Sequence, residues 1–194
     1  NADMLESRLE IPEGRQCSEK TLQAAQELGL DFICLTGNPG TGVTNNAIVK
    51  AIELAKKHFS GLIIAGKMHG AGVNEPICDL KTIEEFINVG ADIILVPAVG
   101  TVPAFTEEQL ISIVNCAHEK GALVLTAIGT SQEGSSSVVI EQFGLKNKVC
   151  GVDIQHIGDA GYSGLAPVEN IFALSSSIRG IRHTLTMISR SINR

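Results

Sequence analysis

Short apolar runs alternate with amphipathic segments along the chain, and the alternation repeats at a nearly constant interval. The runs begin near residues 31, 61, 91, 122 and 151. The first run, residues 31–36, is nearly continuous in apolar residues, which is typical of a strand covered on both faces of a parallel sheet. A spacing of about thirty residues suits one βα unit per run. The pattern therefore predicts an α/β protein with five parallel strands joined by helices.

The segments between the runs carry helix-start signals. Ser18 precedes a predicted helix over 19–28, and Thr44 is placed to cap the helix that follows the first strand. Thr106 and Gln109 have the spacing of a capping box, in which the two side chains bond to each other's backbone. Further helices are predicted over 80–89, over 137–147, and after Pro167, where Gly180 is expected to kink a long amphipathic segment.

Two sheet arrangements fit this repeat. A doubly wound sheet concentrates its site at one switch point, whereas a TIM barrel carries functional loops after many strands. Every predicted strand here ends in a polar or glycine-rich loop, which favours repeated βα units of the (β/α)8 TIM-barrel type. A barrel typically needs about 250 residues, and the chain has 194. We expect one TIM-barrel-like domain over residues 3–194, the C-terminal five units of a longer barrel, with residues 1–2 as a tag remnant.

Composition narrows the choice of partners. The chain is 44% hydrophobic and 19% charged, which is ordinary for a globular protein. Its net charge of −6 and scattered basic residues disfavour nucleic acid. No apolar run approaches the roughly eighteen residues of a membrane span, so no membrane partner is predicted. The five cysteines form no CxxC pair, which disfavours a disulfide framework or zinc ribbon and favours a cytoplasmic location.

The loops after the last two predicted strands are rich in glycines, hydroxyls and carboxylates. With three units lacking upstream, they would follow strands seven and eight, whose loops commonly form the phosphate site of such barrels. Glycine lets backbone N–H groups approach an anion, and hydroxyls add donors. These loops are predicted to bind one small anionic ligand, and the alternative is that their glycines only form tight turns. The candidate residues are Gly129, Thr130, Ser131, Glu133, Gly158, Asp159 and Gly161.

A third glycine-rich loop follows the first predicted strand and leads into a helix. It lacks the Gly-Lys-Ser/Thr ending with which a nucleotide-binding loop reaches terminal phosphates and magnesium. Direct ligand contact and a plain turn both remain open for it. Its candidate ligand-binding residues are Gly37, Asn38, Gly40 and Thr41.

Lys67 and His69 follow the second predicted strand, and on an extended backbone they point the same way. A lysine there can form a Schiff base or hold a phosphate or carboxylate, and a histidine can move protons. Both are therefore predicted as catalytic residues. The alternative is a solvated lysine at the rim and a hydrogen-bonded histidine.

The fifth predicted strand carries a second group of candidates. Asp153 and Gln155 share a strand face and can point into a barrel, while His156 lies where the strand becomes a loop. Asp153 and His156 are predicted as catalytic residues, and Thr126, on the strand before, is predicted to face the interior and bind the ligand. Because the spacing matches no standard ligand motif, no metal is predicted, and the sequence requires no cofactor.

Several segments together resemble a known family. They are LTGNPGTGVT at 35–44, AGKMH at 65–69, TAIGTSQEG at 126–134, HIGDAG at 156–161 and IRGIRHT at 178–184. They resemble an uncharacterised bacterial family with a phosphate-binding TIM-barrel fold, often catalogued as haloacid dehalogenase-like hydrolases. The resemblance implies further βα units before Ser18. Dehalogenase-type phosphatases use a DxDx(T/V) loop, which the sequence lacks, so their chemistry is disfavoured.

The functional prediction that results is an enzyme acting on a small phosphorylated or carboxylated metabolite at the C-terminal ends of its strands. The class of reaction, whether lyase, isomerase or hydrolase, is not resolved. The alternative is a metabolite-binding or regulatory domain without turnover. Because an incomplete barrel exposes strand edges and an apolar interior, a homo-oligomer is also expected.

Overall fold

The computed structural model describes residues 9–159 and 165–192, and within them strands and helices alternate. The strands are β1 (Phe32–Leu35), β2 (Leu62–Gly66), β3 (Ile93–Pro97), β4 (Leu123–Ile128) and β5 (Ile154–Ile157). The α-helices are α1 (Glu19–Glu27), α2 (Asn45–His58), α3 (Leu80–Asn88), α4 (Glu107–Glu119), α5 (Ser137–Val149), α6 (Val168–Arg179) and α7 (Ile181–Ser189). Short 3₁₀ helices span Glu13–Arg15 and Gln132–Gly134.

The strands form one sheet in the order β1-β2-β3-β4-β5. β1 pairs with β2 and β2 with β3 in parallel, with Leu35 opposite Ala65 between β1 and β2, and Ala65 opposite Ile94 between β2 and β3. Each strand lies beside the one that precedes it, so the order never reverses as it does at the switch point of a doubly wound sheet. The predicted repeat of βα units of the TIM-barrel type is therefore confirmed.

The chain divides into two compact units. Unit 1 comprises Asn1–Val96 and Ser112–Leu125, and unit 2 comprises Pro97–Ile111 and Thr126–Arg194. The core of unit 1 is apolar and almost fully buried. It includes Ile48, Ile52, Ala55, Ile63, Ala65, Ile83, Phe86 and Ile94. The core of unit 2 joins strand ends to α5 and α6 through Ala98, Ile128, Ile140, Phe143 and Leu174.

The predicted helix starts are confirmed by their hydrogen bonds. The hydroxyl of Ser18 accepts from the backbone N–H of Thr21 at 3.3 Å, and that of Thr44 accepts from Ala47 at 3.1 Å. The Thr106–Gln109 box is present as well, with N···O distances of 3.0 and 3.3 Å. Each bond satisfies a backbone group that a helix end would leave without a partner.

Two strand boundaries differ from the predicted ones, whereas the expected kink at Gly180 is present. β4 continues past Thr126 to Ile128, so Thr126 lies within the strand. β5 begins at Ile154 rather than at 151, because Gly151 still belongs to the turn that closes α5, with its N–H donating to Lys148 at 3.0 Å. The C-terminal segment breaks at Gly180, whose φ of +81° suits glycine, into α6 and α7. Among the described residues, none of the helices is both long and apolar enough to span a membrane.

Candidate functional site

Lys67 follows β2 directly and is the largest fully buried side chain of the described residues. Its ammonium forms an ion pair with Glu75 Oε1. The Lys67 side chain is 0% exposed and that of Glu75 is 25% exposed. A charge with no access to water depends on its counter-ion. The structure therefore contradicts the alternative of a solvated lysine at the rim.

Glu75 also reaches the start of α2. Its Oε1 accepts the backbone N–H of Asn45 at 2.7 Å, and Asn45 Nδ2 donates to the carbonyl of Pro76 at 3.1 Å. One carboxylate oxygen thus joins the Lys67 ammonium to an N–H of the first helical turn, where the helix dipole favours negative charge. We call Lys67, His69, Glu75 and Asn45 the Lys67 cluster. All four belong to unit 1.

The predicted loop 37–42 packs against the loop that carries this cluster. The N–H of Gly42 donates to the carbonyl of Ala71 at 2.9 Å. A Cβ on Gly37 would lie 2.9 Å from Ala71 Cβ, so the two loops are in close contact there. The hydroxyl of Thr41 is turned back onto the carbonyl of Asn38 at 2.7 Å. The structure therefore brings the Gly37–Gly42 candidates beside those after β2, although Thr41 bonds within its own loop.

His69 is held in one tautomer. Its Nδ1 accepts the backbone N–H of Ala71 at 3.1 Å, so the neutral ring carries its proton on Nε2. Burial lowers the pKa of His69 below its ordinary value of 6.5, and the positive charge of Lys67 lowers it further. At neutral pH the ring is therefore an uncharged hydrogen-bond donor.

This shift predicts a pH dependence of stability. The folded state binds the His69 proton more weakly than the unfolded chain. Neutral His69 therefore contributes to the stability of the fold above the unfolded pKa, and this stability is lost as pH falls through the folded pKa. Urea unfolding at pH 7.5 and 5.5 should show a smaller loss of stability in His69→Asn, whose amide oxygen can still accept from Ala71, than in the wild type. His183→Asn, which alters an exposed histidine of α7, is the matched control. Equal losses in wild type and His69→Asn would contradict the prediction.

The loop after β4 places Glu133 in the interior of unit 2. Thr130 and Ser131 adopt φ of +58° and +72°, a conformation that costs energy for residues with a side chain. The 3₁₀ turn Gln132–Gly134 follows, and Glu133 within it is only 5% exposed. Its Oε2 is buried and has no hydrogen-bond partner among the described residues.

Asn170 of α6 fixes this loop from the other side. Its Nδ2 donates to the carbonyl of Glu133 at 2.9 Å and to that of Ser135 at 2.8 Å. The Thr130 hydroxyl donates to the carbonyls of Gly129, at 2.6 Å, and Thr101, at 3.2 Å. The loop backbone is therefore held by Thr130, which was predicted to bind a ligand, and by Asn170, which the sequence prediction did not name.

The loop after β5 lies against Glu133. A Cβ on Gly158 would lie 3.7 Å from Glu133 Cδ, and the Gly158 N–H donates to the carbonyl of Ile128 at 2.9 Å. Burial lowers the pKa of His156, while the negative charges of Asp159 and Glu133 act in the opposite direction. Glu133, His156, Gly158 and Asp159 thus form one group, the Glu133 cluster, within unit 2. Gly161 lies outside the described residues.

Two predicted positions are corrected. Asp153 precedes β5 and lies at its amino-terminal end, opposite to the loop with Gly158 and Asp159, because the strand begins three residues later than predicted. Gln155 points to the helix layer rather than into a barrel, since its Nε2 donates to the carbonyl of Gly144 in α5 at 2.9 Å. Asp153 is therefore left out of the Glu133 cluster.

Thr126 is buried within β4, at 1% exposure, and its hydroxyl has no partner among the described residues. Two residues further along the same strand, Ile128 packs against Ile140 and Phe143 of α5. Alternate residues of a strand share a face, so Thr126 is directed towards the helix layer. This orientation differs from the predicted interior one, because the strand alternation puts Thr126 on the same face as Ile128.

Three important residues were missed by the sequence prediction. Glu75 lies in a polar loop between glycines and prolines, and neither its position nor its neighbours match a motif. Asn45 and Asn170 open helices, where asparagine usually indicates nothing beyond a helix start. Their roles arise from contacts with residues 30 or more positions away, such as the Asn45–Glu75 and Asn170–Ser135 bonds.

The five cysteines are all free. Burial, together with the negative charge of Asp79, raises the pKa of the Cys78 thiol to about 12. A thiol with so high a pKa is a poor nucleophile at neutral pH. None of the described His, Cys, Asp and Glu side chains gather in threes that could hold a metal ion.

Comparison with known proteins supports the fold and leaves the reaction open. The model of the family Domain of unknown function (DUF7916) matches residues 1–194. A search of curated proteins finds no match. The similar solved structures reported below are not haloacid dehalogenase-like hydrolases, so that part of the sequence resemblance is not supported.

Three solved structures, each with a TM-score of 0.62, are enzymes of the TIM-barrel type. Oxaloacetate acetylhydrolase is 13% identical and aligns over 84% of this chain and 61% of its own. Phosphonopyruvate hydrolase, in complex with oxalate and Mg²⁺, is 13% identical over 85% and 62%. A protein from Coccidioides immitis described as a deoxyribose-phosphate aldolase is 12% identical over 88% and 63%. The chain thus spans about three fifths of these enzymes, and the identities support the fold alone.

Proposed function

The chain belongs to the DUF7916 family, and we propose that it is an enzyme that moves a proton on a small carboxylated or phosphorylated metabolite. The observation that carries the proposal is Glu133, a residue only 5% exposed, whose buried Oε2 lacks any partner among the described residues. Leaving such an oxygen unpaired costs stability, and uncompensated costs of this kind occur at functional sites. Its position after β4 agrees with the loops in which TIM-barrel enzymes carry their chemistry.

The surroundings of Glu133 suit a general base. Asn170 fixes its backbone, and the backbone of Gly158 leaves room on the side of the carboxylate. His156 is exposed and feels the charge of Glu133, whereas Glu133 is shielded from water. Glu133 would take a proton from the carbon beside a carbonyl group, and the electron pair would move to the carbonyl oxygen. His156 would then exchange that proton with solvent.

The negative charge of the Glu133 cluster indicates that the anionic part of the metabolite binds elsewhere. Glu133 and Asp159 are both acidic, so a phosphate or carboxylate beside them would be repelled. The sequence prediction that the loops after β4 and β5 hold one anion stays a prediction, as do a cytoplasmic location and a homo-oligomer. The phosphonopyruvate hydrolase structure contains Mg²⁺, whereas the proton transfer proposed for this chain is assigned to its own side chains.

Proton exchange provides a test that needs no knowledge of the full reaction. Pyruvate, oxaloacetate, phosphonopyruvate and deoxyribose 5-phosphate would be incubated with the protein in D₂O, and loss of the proton beside the carbonyl followed by ¹H NMR. We expect at least one of them to exchange faster than without protein. Glu133→Gln should slow this exchange by about 100-fold or more, the usual scale of general-base catalysis.

The controls separate chemistry from folding. Glu141→Gln removes an exposed carboxylate of α5 in the same unit and should leave exchange unchanged. His156→Gln should slow exchange, and added imidazole should restore part of it, which a purely structural role would not produce. Binding of a probe with no exchange would instead support the non-catalytic binding domain, and full activity of Glu133→Gln would overturn the proposal.

A further inference from the structure

The Lys67 cluster has the composition of a site for an external carboxylate. Lys67 supplies a fully buried ammonium, and the first turn of α2 supplies a backbone N–H that points to the same oxygen atom, Glu75 Oε1. Buried lysines and helix N-termini are each used to bind anions in proteins. Here both act on one carboxylate that belongs to the protein itself.

We propose that this is a binding site for the carboxylate of a small metabolite, which Glu75 occupies in the free protein and vacates when the ligand binds. The two side chains of the ion pair differ in their access to water. Glu75 is 25% exposed and can turn into water, whereas Lys67 is 0% exposed and cannot. Departure of Glu75 therefore leaves a buried cation that requires another anion.

Two further buried polar atoms, on the residue that binds Glu75 and at the end of the strand next to the one before Lys67, lack partners. Asn45 Oδ1 and Thr36 Oγ1 are both buried, and neither has a hydrogen-bond partner among the described residues. Asn45 is the residue whose N–H binds Glu75. Thr36 follows β1 directly after the Leu35–Ala65 pair, which places it next to the strand end that carries Lys67. A hydroxy acid would bring an O–H group that can donate to Asn45 Oδ1 or accept from the Thr36 hydroxyl, which a glutamate side chain lacks.

The loops around the ion pair supply a further hydrogen-bond donor, His69. Glu75 lies in the loop between β2 and α3, and this loop is joined to loop 37–42 by the Gly42–Ala71 bond. His69, in the same loop, offers an uncharged N–H on Nε2, which can donate to a ligand oxygen without competing as a cation. The inference concerns unit 1 only and does not depend on the role proposed for Glu133.

The experiment compares four forms of the full chain by titration calorimetry with oxalate and, separately, inorganic phosphate at constant ionic strength. Wild type is expected to bind oxalate weakly, because Glu75 competes for the site. Glu75→Gln removes the competing charge and should bind oxalate at least about tenfold more tightly. Lys67→Met/Glu75→Gln removes both charges and should not bind it. Glu13→Gln, which alters an exposed glutamate paired with Lys20, should behave as wild type.

Because Glu75→Gln leaves a buried cation, its folding is compared with and without the anion. If it is unfolded in buffer alone, refolding in oxalate should restore it, whereas sodium chloride of equal ionic strength should not. Equal oxalate affinity in wild type and Glu75→Gln would overturn the proposal. So would oxalate binding by the double variant. Tighter binding of phosphate than of oxalate by Glu75→Gln would overturn the assignment to a carboxylate.

Discussion

Replacing Gly66 with alanine is expected to destabilise the protein by about 4 kcal/mol or more, the range reached only by severe single substitutions. A Cβ at this position would lie 1.9 Å from the carbonyl oxygen of Leu95 on the neighbouring strand. The backbone φ of Gly66 is +151°, which residues with a side chain rarely adopt. The clash is with backbone rather than with a flexible side chain, so relief would require β2 and β3 to move apart.

Urea unfolding would measure this effect, with the midpoint and slope compared between wild type and Gly66→Ala. Gly14→Ala is the matched control, because a Cβ there meets no atom within 4 Å. It should change stability by no more than about 0.5 kcal/mol, as for most surface substitutions. A Gly66→Ala protein as stable as the control would show that the close approach of β2 and β3 is not a real constraint.

The two halves of the Lys67–Glu75 ion pair are expected to differ in their contribution to stability. Removing one partner of a buried pair typically costs about 3–5 kcal/mol, because the remaining charge stays in the interior. Glu75→Gln should fall in this range, since it leaves the Lys67 ammonium fully buried. Lys67→Met should cost less, because the remaining Glu75 carboxylate is partly exposed and keeps its bond to the Asn45 N–H.

Lys67→Met/Glu75→Gln completes the cycle and should be more stable than Glu75→Gln alone, since neither charge is then buried without a partner. All four proteins would be compared by urea unfolding in a buffer free of carboxylates and phosphate. If Glu75→Gln and Lys67→Met lost equal stability, the difference in exposure between the two side chains would not govern the energy of the pair.

The helices and strands could be predicted well because their signals are local. Apolar runs identified all five strands, and the hydroxyls of Ser18, Thr44 and Thr106 marked helix starts that the structure confirms. The boundaries of β4 and β5 were less accurate. Both depend on how far a turn or a neighbouring strand extends, as with Gly151 after α5, and composition does not encode this directly.

The candidate site could be predicted only in part. Lys67, His69 and Asp159 lie in the loops where the sequence placed them and His156 lies within β5, but the partner of Lys67, Glu75, was not foreseen. Asp153 was assigned to the wrong end of β5, because the strand runs from Ile154 to Ile157 and Asp153 precedes it.

The sequence by itself determined the succession of βα units and the end of the strands at which polar residues gather, because periodicity and turn chemistry act over a few neighbouring residues. Only the tertiary structure decided which charges meet. In the packed structure Glu75 contacts Lys67 and the first turn of α2, and Glu133 is buried beside Gly158. These contacts join residues from different loops, and their energies depend on burial and distance, which arise only when the strands and helices pack.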